Sequence, residues 1–329
     1  MKNVSADRNT ALLSPGDSWD TRIAVLIRCF NEEATVGSVV ADFRRALPDA
    51  DIYVYDNNSR DGTVAAARKA GAIIRSEPLR GKANVVRRMF ADIEADVYIL
   101  VDGDNTYDAA AAPALALHLV EQRLDLVNAC RISGDSDTHR FGHRTGNAVL
   151  TGIVARVFGN RFTDMLSGYK VLSRRFVKSF PITASSGFEI ETELTVHALE
   201  LNMPTGEVPT AYRERPAGSH SKLRTLRDGL RIIWTIFVLV KEERPIAFFS
   251  TIFALLMATS LILAAPIVVT FIETGVVPRL PTAVLATGAM LLAFLSLACG
   301  LILDTVTRGR KEMKQLHYLL LAAVLAENR

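Results

Sequence analysis

Asp102 and Asp104 stand one glycine apart at the end of the apolar, β-branched run Val97-Tyr98-Ile99-Leu100-Val101. A buried strand of that composition would carry both carboxylates to the carboxyl edge of a sheet, where α/β proteins bind ligands. Two acidic side chains there can hold a hard divalent cation and leave positions open for a diphosphate. The same residues also suit a plain acidic turn, because Asp, Gly and Asn are ordinary turn formers. Two more polar clusters share this placement. Arg28-Cys29-Phe30-Asn31-Glu32-Glu33 follows the apolar run from Ile23 to Ile27, and Asp56-Asn57-Asn58-Ser59-Arg60-Asp61-Gly62-Thr63 follows Asp51 to Tyr55. Loops at the carboxyl ends of parallel strands converge, so the three segments are expected to line one cleft.

The elements that must position them alternate in type. Strands are expected at 23–27, 51–55, 72–74 and 97–101, with helices at 34–47, 63–70 and 82–95 between them. This βαβαβαβ rhythm predicts an α/β, mostly parallel, Rossmann-like sheet with helices on both faces. Downstream, 124–129 reads as a strand, 144–158 and 187–201 as helices, and 207–212 as a late edge strand because it contains Pro209. Residues 1–20 read as a flexible leader.

Beyond Pro245 the composition changes. Ile246–Ile272 and Leu280–Leu303 carry no ionisable side chain. At about 1.5 Å per residue each can cross a hydrocarbon core about 30 Å thick. A transmembrane hairpin over 246–303 is expected, followed by a cytoplasmic tail over 304–329. Residues 223–245 are basic first and apolar later, with Leu230, Ile233, Ile236, Phe237 and Val240 at helical spacing. They suit an interfacial amphipathic helix on the membrane, or a packing helix of a soluble domain. Lys241 and Arg244 flank the first span, and Arg308, Arg310, Lys311 and Lys314 follow the second. The loop Glu273–Arg279 carries one basic residue, so the large domain and the tail are expected on the cytoplasmic side. The formal net charge of +3 argues against nucleic acid as a partner. Cys29, Cys130 and Cys299 have neither disulfide nor metal-ligand spacing.

Together these segments resemble the family 2 glycosyltransferases of GT-A fold over about residues 23–230. Asn31-Glu32-Glu33 is similar to the family's first-strand motif, although Arg28-Cys29-Phe30 replaces the more usual proline-containing lead-in. The turn from Asp56 to Thr63 resembles the nucleotide-binding turn, Gly81-Lys82 an element beside the nucleotide-sugar, and Asp102-Gly103-Asp104 the DxD motif. The resemblance implies Mg²⁺ or Mn²⁺ on Asp104 with Asp102 assisting, and donor contacts from Asn31, Glu32, Asp56, Asn58, Lys82 and Asp102. Thr106 stands where related enzymes often carry glutamine, which leaves a third protein ligand open.

Asp164-Met165-Leu166-Ser167-Gly168-Tyr169-Lys170 is similar to the family's acceptor-site segment. Residues 215–223 resemble the basic loop that precedes the membrane helices of lipid-linked sugar synthases. The resemblance thus narrows to polyprenyl-phosphate glycosyltransferases, similar to dolichol-phosphate mannose or glucose synthases. It implies inverting transfer of one sugar from a UDP- or GDP-linked donor to a polyprenyl phosphate at the bilayer, with a homo-oligomer possible. Asp102, Asp104 and Asp164 become the catalytic candidates, and Arg131, Arg140, Arg144, Ser167 and Lys222 the contacts to the acceptor phosphate. Arginine suits that task because its fork pairs bidentately with phosphate oxygens. A phosphate acceptor is already anionic, so a strong general base is dispensable. Transfer to a glycolipid or cell-wall hydroxyl is the alternative, with Asp164 as base, and a catalytically silent scaffold is a further one. His139, His143 and His220 lack paired zinc-ligand spacing. Glu189, Glu191 and Glu193 read as charges favoured at a helix start, or as supports for the acceptor loop.

Overall fold

In the computed structural model the described residues are 21–132, 152, 162–181, 190–213, 237–238, 241–242 and 244–321. The expected leader, most of the interfacial helix, all but residue 152 of the helix expected at 144–158, the basic loop 215–223, and Arg140, Arg144 and Lys222 lie outside them.

The first strand, β1 (Ile23–Cys29), is buried at all seven positions, as a central parallel strand covered on both faces must be. It pairs in parallel with β2 (Asp51–Asp56) and β4 (Val97–Asp102), and β2 pairs with β3 (Ile73–Ser76). The crossovers are α1 (Val36–Ala46), α2 (Thr63–Lys69) and α3 (Lys82–Asp92). Then come α4 (Ala112–Glu121), β5 (Leu126–Ile132), β6 (Lys170–Ser173), α5 (Arg174–Ser179), α6 (Ile190–Glu200) and β7 (Thr205–Ala211). The sheet runs β3-β2-β1-β4-β6-β5-β7, with β7 at its edge as Pro209 requires. Strand β6 was not legible as a strand. Four residues long, it inserts antiparallel between β4 and β5.

Side-chain alternation divides the core in two. Ala24 and Leu26 of β1 face a cluster with Tyr55, Met89, Tyr98, Phe176 and Leu194. Ile23, Val25 and Ile27 face the other, where α1 presents Val36, Val39, Val40 and Phe43 at helical spacing. Strand order reverses between β1 and β4, and ligands of open α/β sheets bind outside the strand ends at such a point. The register places Arg28 beside Asp102, and Cys29 beside Asp56, on that edge.

The last two helices, α7 (Pro245–Thr274) and α8 (Leu280–Leu320), are both long and apolar enough to cross a membrane. They pack as an antiparallel pair. Ser260 donates to the carbonyl of Ala286 at 2.7 Å, and a Cβ on Gly300 would stand 2.8 Å from that of Phe249, so glycine permits the close approach. Their outward faces expose Ile262, Ile272, Leu285, Leu291 and Leu295, an apolar surface suited to lipid.

The segment expected to be a tail is helical through Leu320, and it docks on the sheet domain. Tyr318 enters the core cluster, and its hydroxyl donates to Asp125. Lys314 pairs with the Glu200 carboxylate at 2.8 Å. The uncharged run ends at Leu303, and the helical backbone continues without a break to Leu320.

Candidate active site

Three turns meet at the β1–β4 edge, joined by side-chain to backbone hydrogen bonds. Asn31, in a left-handed backbone conformation (φ +53°), donates its N–H to Ser59 and accepts from the Arg60 N–H, both at 2.9 Å. Glu32 donates its N–H to Thr63 at 2.8 Å, and Glu33 accepts from the Gly62 N–H at 2.9 Å. Asp56 closes its own turn by accepting from the Ser59 N–H. Asn57 donates to the carbonyls of Glu77 and Leu79 and accepts from the Gly81 N–H, and Asn58 donates to the Pro78 carbonyl at 2.7 Å. The turn after β2 therefore fixes the loop that leads to Lys82. Thr35 donates to the Gly103 carbonyl at 2.7 Å and ties the first turn to the acidic one.

A Cβ on Gly103 would stand 2.5 Å from Cys29 Sγ and 3.2 Å from the Arg28 carbonyl oxygen, so any larger residue between the two acids would have to displace the Cys29 side chain. The two carboxylates differ in surroundings. Asp102 lies 2.9 Å from Arg28 and 3.4 Å from the Lys82 ammonium. Asp104 is buried, and one of its oxygens accepts from the Thr106 hydroxyl at 2.6 Å and from its N–H at 3.3 Å. Thr106 thus orients Asp104. Among the described residues no group of three His, Cys, Asp or Glu could hold a metal ion. A cation here would take its remaining ligands from substrate or water, as catalytic sites with open positions do.

Arg28 is buried between Asp102 and Glu191, 2.9 Å from each. Burial opposes its charge, but Asp102 and Glu191 outweigh burial and raise its pKa. Burial likewise opposes ionisation of Glu191, yet Lys82 and Arg28 hold its pKa below the usual carboxylate value. Arg28 was not among the expected site residues, although a charge ending an otherwise apolar strand was visible in the sequence.

On the β5–β6 side, Arg131 forks onto Asp164 at 2.7 and 2.8 Å and stacks its guanidinium over Tyr212. The expected acceptor contact and the expected catalytic acid therefore hold each other. Ser167 donates to the Ala129 carbonyl at 2.6 Å. Glu207, not foreseen, accepts from the Thr163 and Asp164 N–H groups and from Asn128, and so braces the same loop. Nothing in residues 205–211 beyond the edge-strand pattern pointed to it. Arg213, also unforeseen, donates its N–H to the Thr106 carbonyl at 2.8 Å and pairs with Asp108, crossing behind the acidic turn.

Lys170 is fully buried and donates to Asn128 at 2.6 Å. Burial lowers its pKa to about 8, with Glu191 and Asp164 resisting. Between about pH 8 and its unfolded value of 10.5 the unfolded chain binds a proton that the folded chain lacks, so stability should rise with pH there. Relative to Lys170→Met, the protein is expected to gain up to about 3 kcal/mol across that window, read from melting curves at stepped pH. Parallel curves for the two proteins would refute this.

Comparison with known proteins bears on this edge. The model of the family described as Glycosyl transferase family 2 matches residues 24–180. The chain is 30% identical over 303 residues to glycosyltransferase AglJ of Haloferax volcanii, covering 90% of this chain and 98% of that protein. It is 29% identical over 223 residues to a dolichyl-phosphate hexose transferase of the same organism, covering 68% and 95%. Among solved structures, glucosyl-3-phosphoglycerate synthase from Mycobacterium tuberculosis, in complex with Mn²⁺, UDP-glucose and phosphoglyceric acid, is similar with a TM-score of 0.54. That match has 22% identity and covers 68% of this chain and 79% of the other, a likeness of fold.

Proposed function

The chain belongs to glycosyl transferase family 2, and from that premise we propose that it moves one sugar from a nucleotide-diphosphate sugar to a polyprenyl phosphate at a membrane. The observation that carries this reading is the joining of an acidic, cation-lined strand edge to two helices fit to cross a bilayer. The dolichyl-phosphate hexose transferase among its relatives supports a lipid-phosphate acceptor. The Mn²⁺ and UDP-glucose of the structurally similar synthase support a metal-assisted nucleotide-sugar donor.

Asp104, oriented by Thr106, and Asp102, held by Arg28, would be the residues to hold a divalent cation. Such a cation would offset charge as the diphosphate departs. Asp56 and the turn it closes bind the nucleoside, with Asn31, Glu32 and Asn58 setting the turn's shape. Lys82, beside Asp102, lies where a diphosphate oxygen can take its ammonium. The acceptor phosphate oxygen attacks the anomeric carbon from the side opposite the diphosphate, the carbon–oxygen bond to the diphosphate breaks, and configuration inverts. The phosphate needs no proton removed at neutral pH, so the chain supplies position and field. Arg131 and Lys222, with Arg140 and Arg144, grip the acceptor, and the fork onto Asp164 fixes where Arg131 lies. The basic flanks of α7 and α8 support a cytoplasmic position for the sheet domain.

The test is a panel of UDP- and GDP-sugars offered with a short polyprenyl phosphate to the full chain in detergent, with and without Mn²⁺ or Mg²⁺. Metal-dependent transfer to the phosphate is expected from one donor. Transfer only to lipid or glycan hydroxyls would overturn the acceptor assignment.

A further inference from the structure

Arg28 belongs to the β1 strand, yet its side chain touches three other segments far apart in sequence. Its guanidinium lies 2.9 Å from Asp102 at the end of β4, 2.9 Å from Glu191 in the first turn of α6, and donates to the Gly168 carbonyl at 3.4 Å. Its side chain is 3% exposed, and Nε is buried without a hydrogen-bond partner. Gly168 approaches so closely that a Cβ there would stand 2.6 Å from Asp102 Oδ2 and 3.0 Å from Arg28. Tyr107 of the acidic turn accepts from the Gly168 N–H at 2.7 Å, which closes the loop onto the turn a second time. Lys82, more than half exposed, completes the group from the solvent side, 3.4 Å from Asp102 and 3.7 Å from Glu191.

We propose that Arg28 is a positioning residue that locks Asp102 to Gly168 and Glu191, so that the donor-binding acids and the loop carrying Asp164 behave as one rigid unit. Two cations and two carboxylates form the group. Lys82 faces solvent and can transfer to an arriving diphosphate, whereas Arg28 is enclosed and keeps both carboxylates in place when it does. A fixed guanidinium fork can hold two carboxylates and a carbonyl at once, which a lysine ammonium on a flexible stem does less well. The consequence for the reaction rests on the donor reading given above.

The test is a set of double-variant cycles on the full chain in detergent: Arg28→Gln and Asp102→Asn, and Arg28→Gln and Glu191→Gln, singly and paired. If Arg28 acts through Asp102 and the Gly168 loop, Arg28→Gln raises the donor KM and the Mn²⁺ concentration for half-activation about tenfold, raises the acceptor KM by less, and adds nothing to the donor KM in the Asp102→Asn background. Arg28→Lys recovers part of the donor KM. Because Arg28→Gln leaves the buried Glu191 with the exposed Lys82, 3.7 Å away, as its cation, the pair with Glu191→Gln is expected to melt higher than Arg28→Gln alone. Additive effects on donor KM, or a lower melting temperature with an unchanged KM, would overturn the proposal. The melting cycle is read whether or not transfer is seen. Independent melting effects overturn the clamp itself, whereas coupled melting without any transfer by the unaltered chain counts against the donor reading alone.

Discussion

Asp104→Ala is expected to lower kcat/KM for sugar transfer by about a thousandfold or more, the scale on which removing a group that stabilises transition-state charge acts. The carboxylate is buried at the carboxyl end of β4 and aimed by the Thr106 hydroxyl. With no cluster of three protein ligands among the described residues, a cation depends heavily on each acid it has. Asp104→Asn should lose nearly as much activity while leaving the fold intact, because an amide oxygen still accepts from Thr106. Thr106→Val should fall between, by about tenfold, since it frees the carboxylate to reorient without removing it. Steady-state rates at saturating Mn²⁺, with a melting curve for each variant, check this series. Full metal-dependent activity in Asp104→Ala would remove Asp104 from the site.

The largest loss of stability is expected far from that edge, at Asp125. This carboxylate is buried and accepts from Ser173 at 2.6 Å, from Arg175 in a bidentate pair, and from the Tyr318 hydroxyl. Arg175 also stacks over the Tyr318 ring. One side chain thus holds the start of α5 and the far end of α8. Asp125→Ala leaves a largely buried guanidinium and two hydroxyls without their acceptor, at a cost of about 3–5 kcal/mol. That is a large share of the about 5–15 kcal/mol that ordinary domains possess. Tyr318→Phe removes one hydrogen bond and should cost about 1 kcal/mol. Thermal melts in detergent read both costs. Hydrogen exchange over residues 304–320 should rise in Asp125→Ala, because the helix end loses its anchor on the sheet domain. Unchanged protection there would mean that α8 is held by its other contacts.

Much of this architecture was legible where a pattern is local. Apolar runs ending in polar turns announced β1, β2 and β4, and their shared ends announced the edge on which Asp56, Asp102 and Asp104 gather. Uncharged stretches announced the two helices long and apolar enough to cross a membrane. What escaped notice depends on distant partners. Strand β6 is four residues long and owes its place to β4 and β5 on either side. The continuation of α8 past residue 304 carries ordinary surface residues, and its docking rests on Tyr318 in a core built from other segments and on Lys314 against Glu200. Arg28 read as a departure from the family's lead-in. Its role depends on Glu191 and Gly168, more than a hundred residues away, which no spacing within β1 can express. Arg131 and Asp164 were legible as polar residues near the acceptor, but not as partners of each other. Glu207 carried no local signal, since its work is to accept N–H groups from the loop beside it.

The central claim is that a lipid phosphate receives the sugar. The most direct measurement gives the purified chain a radiolabelled nucleotide-sugar, Mn²⁺ and a polyprenyl phosphate, then isolates the lipid product and determines its mass and lability. One sugar per lipid, joined through a phosphodiester that mild acid cleaves and formed only with Asp104 present, is the predicted result. An acid-stable glycoside on a hydroxyl, or several sugars in a chain, would contradict the account.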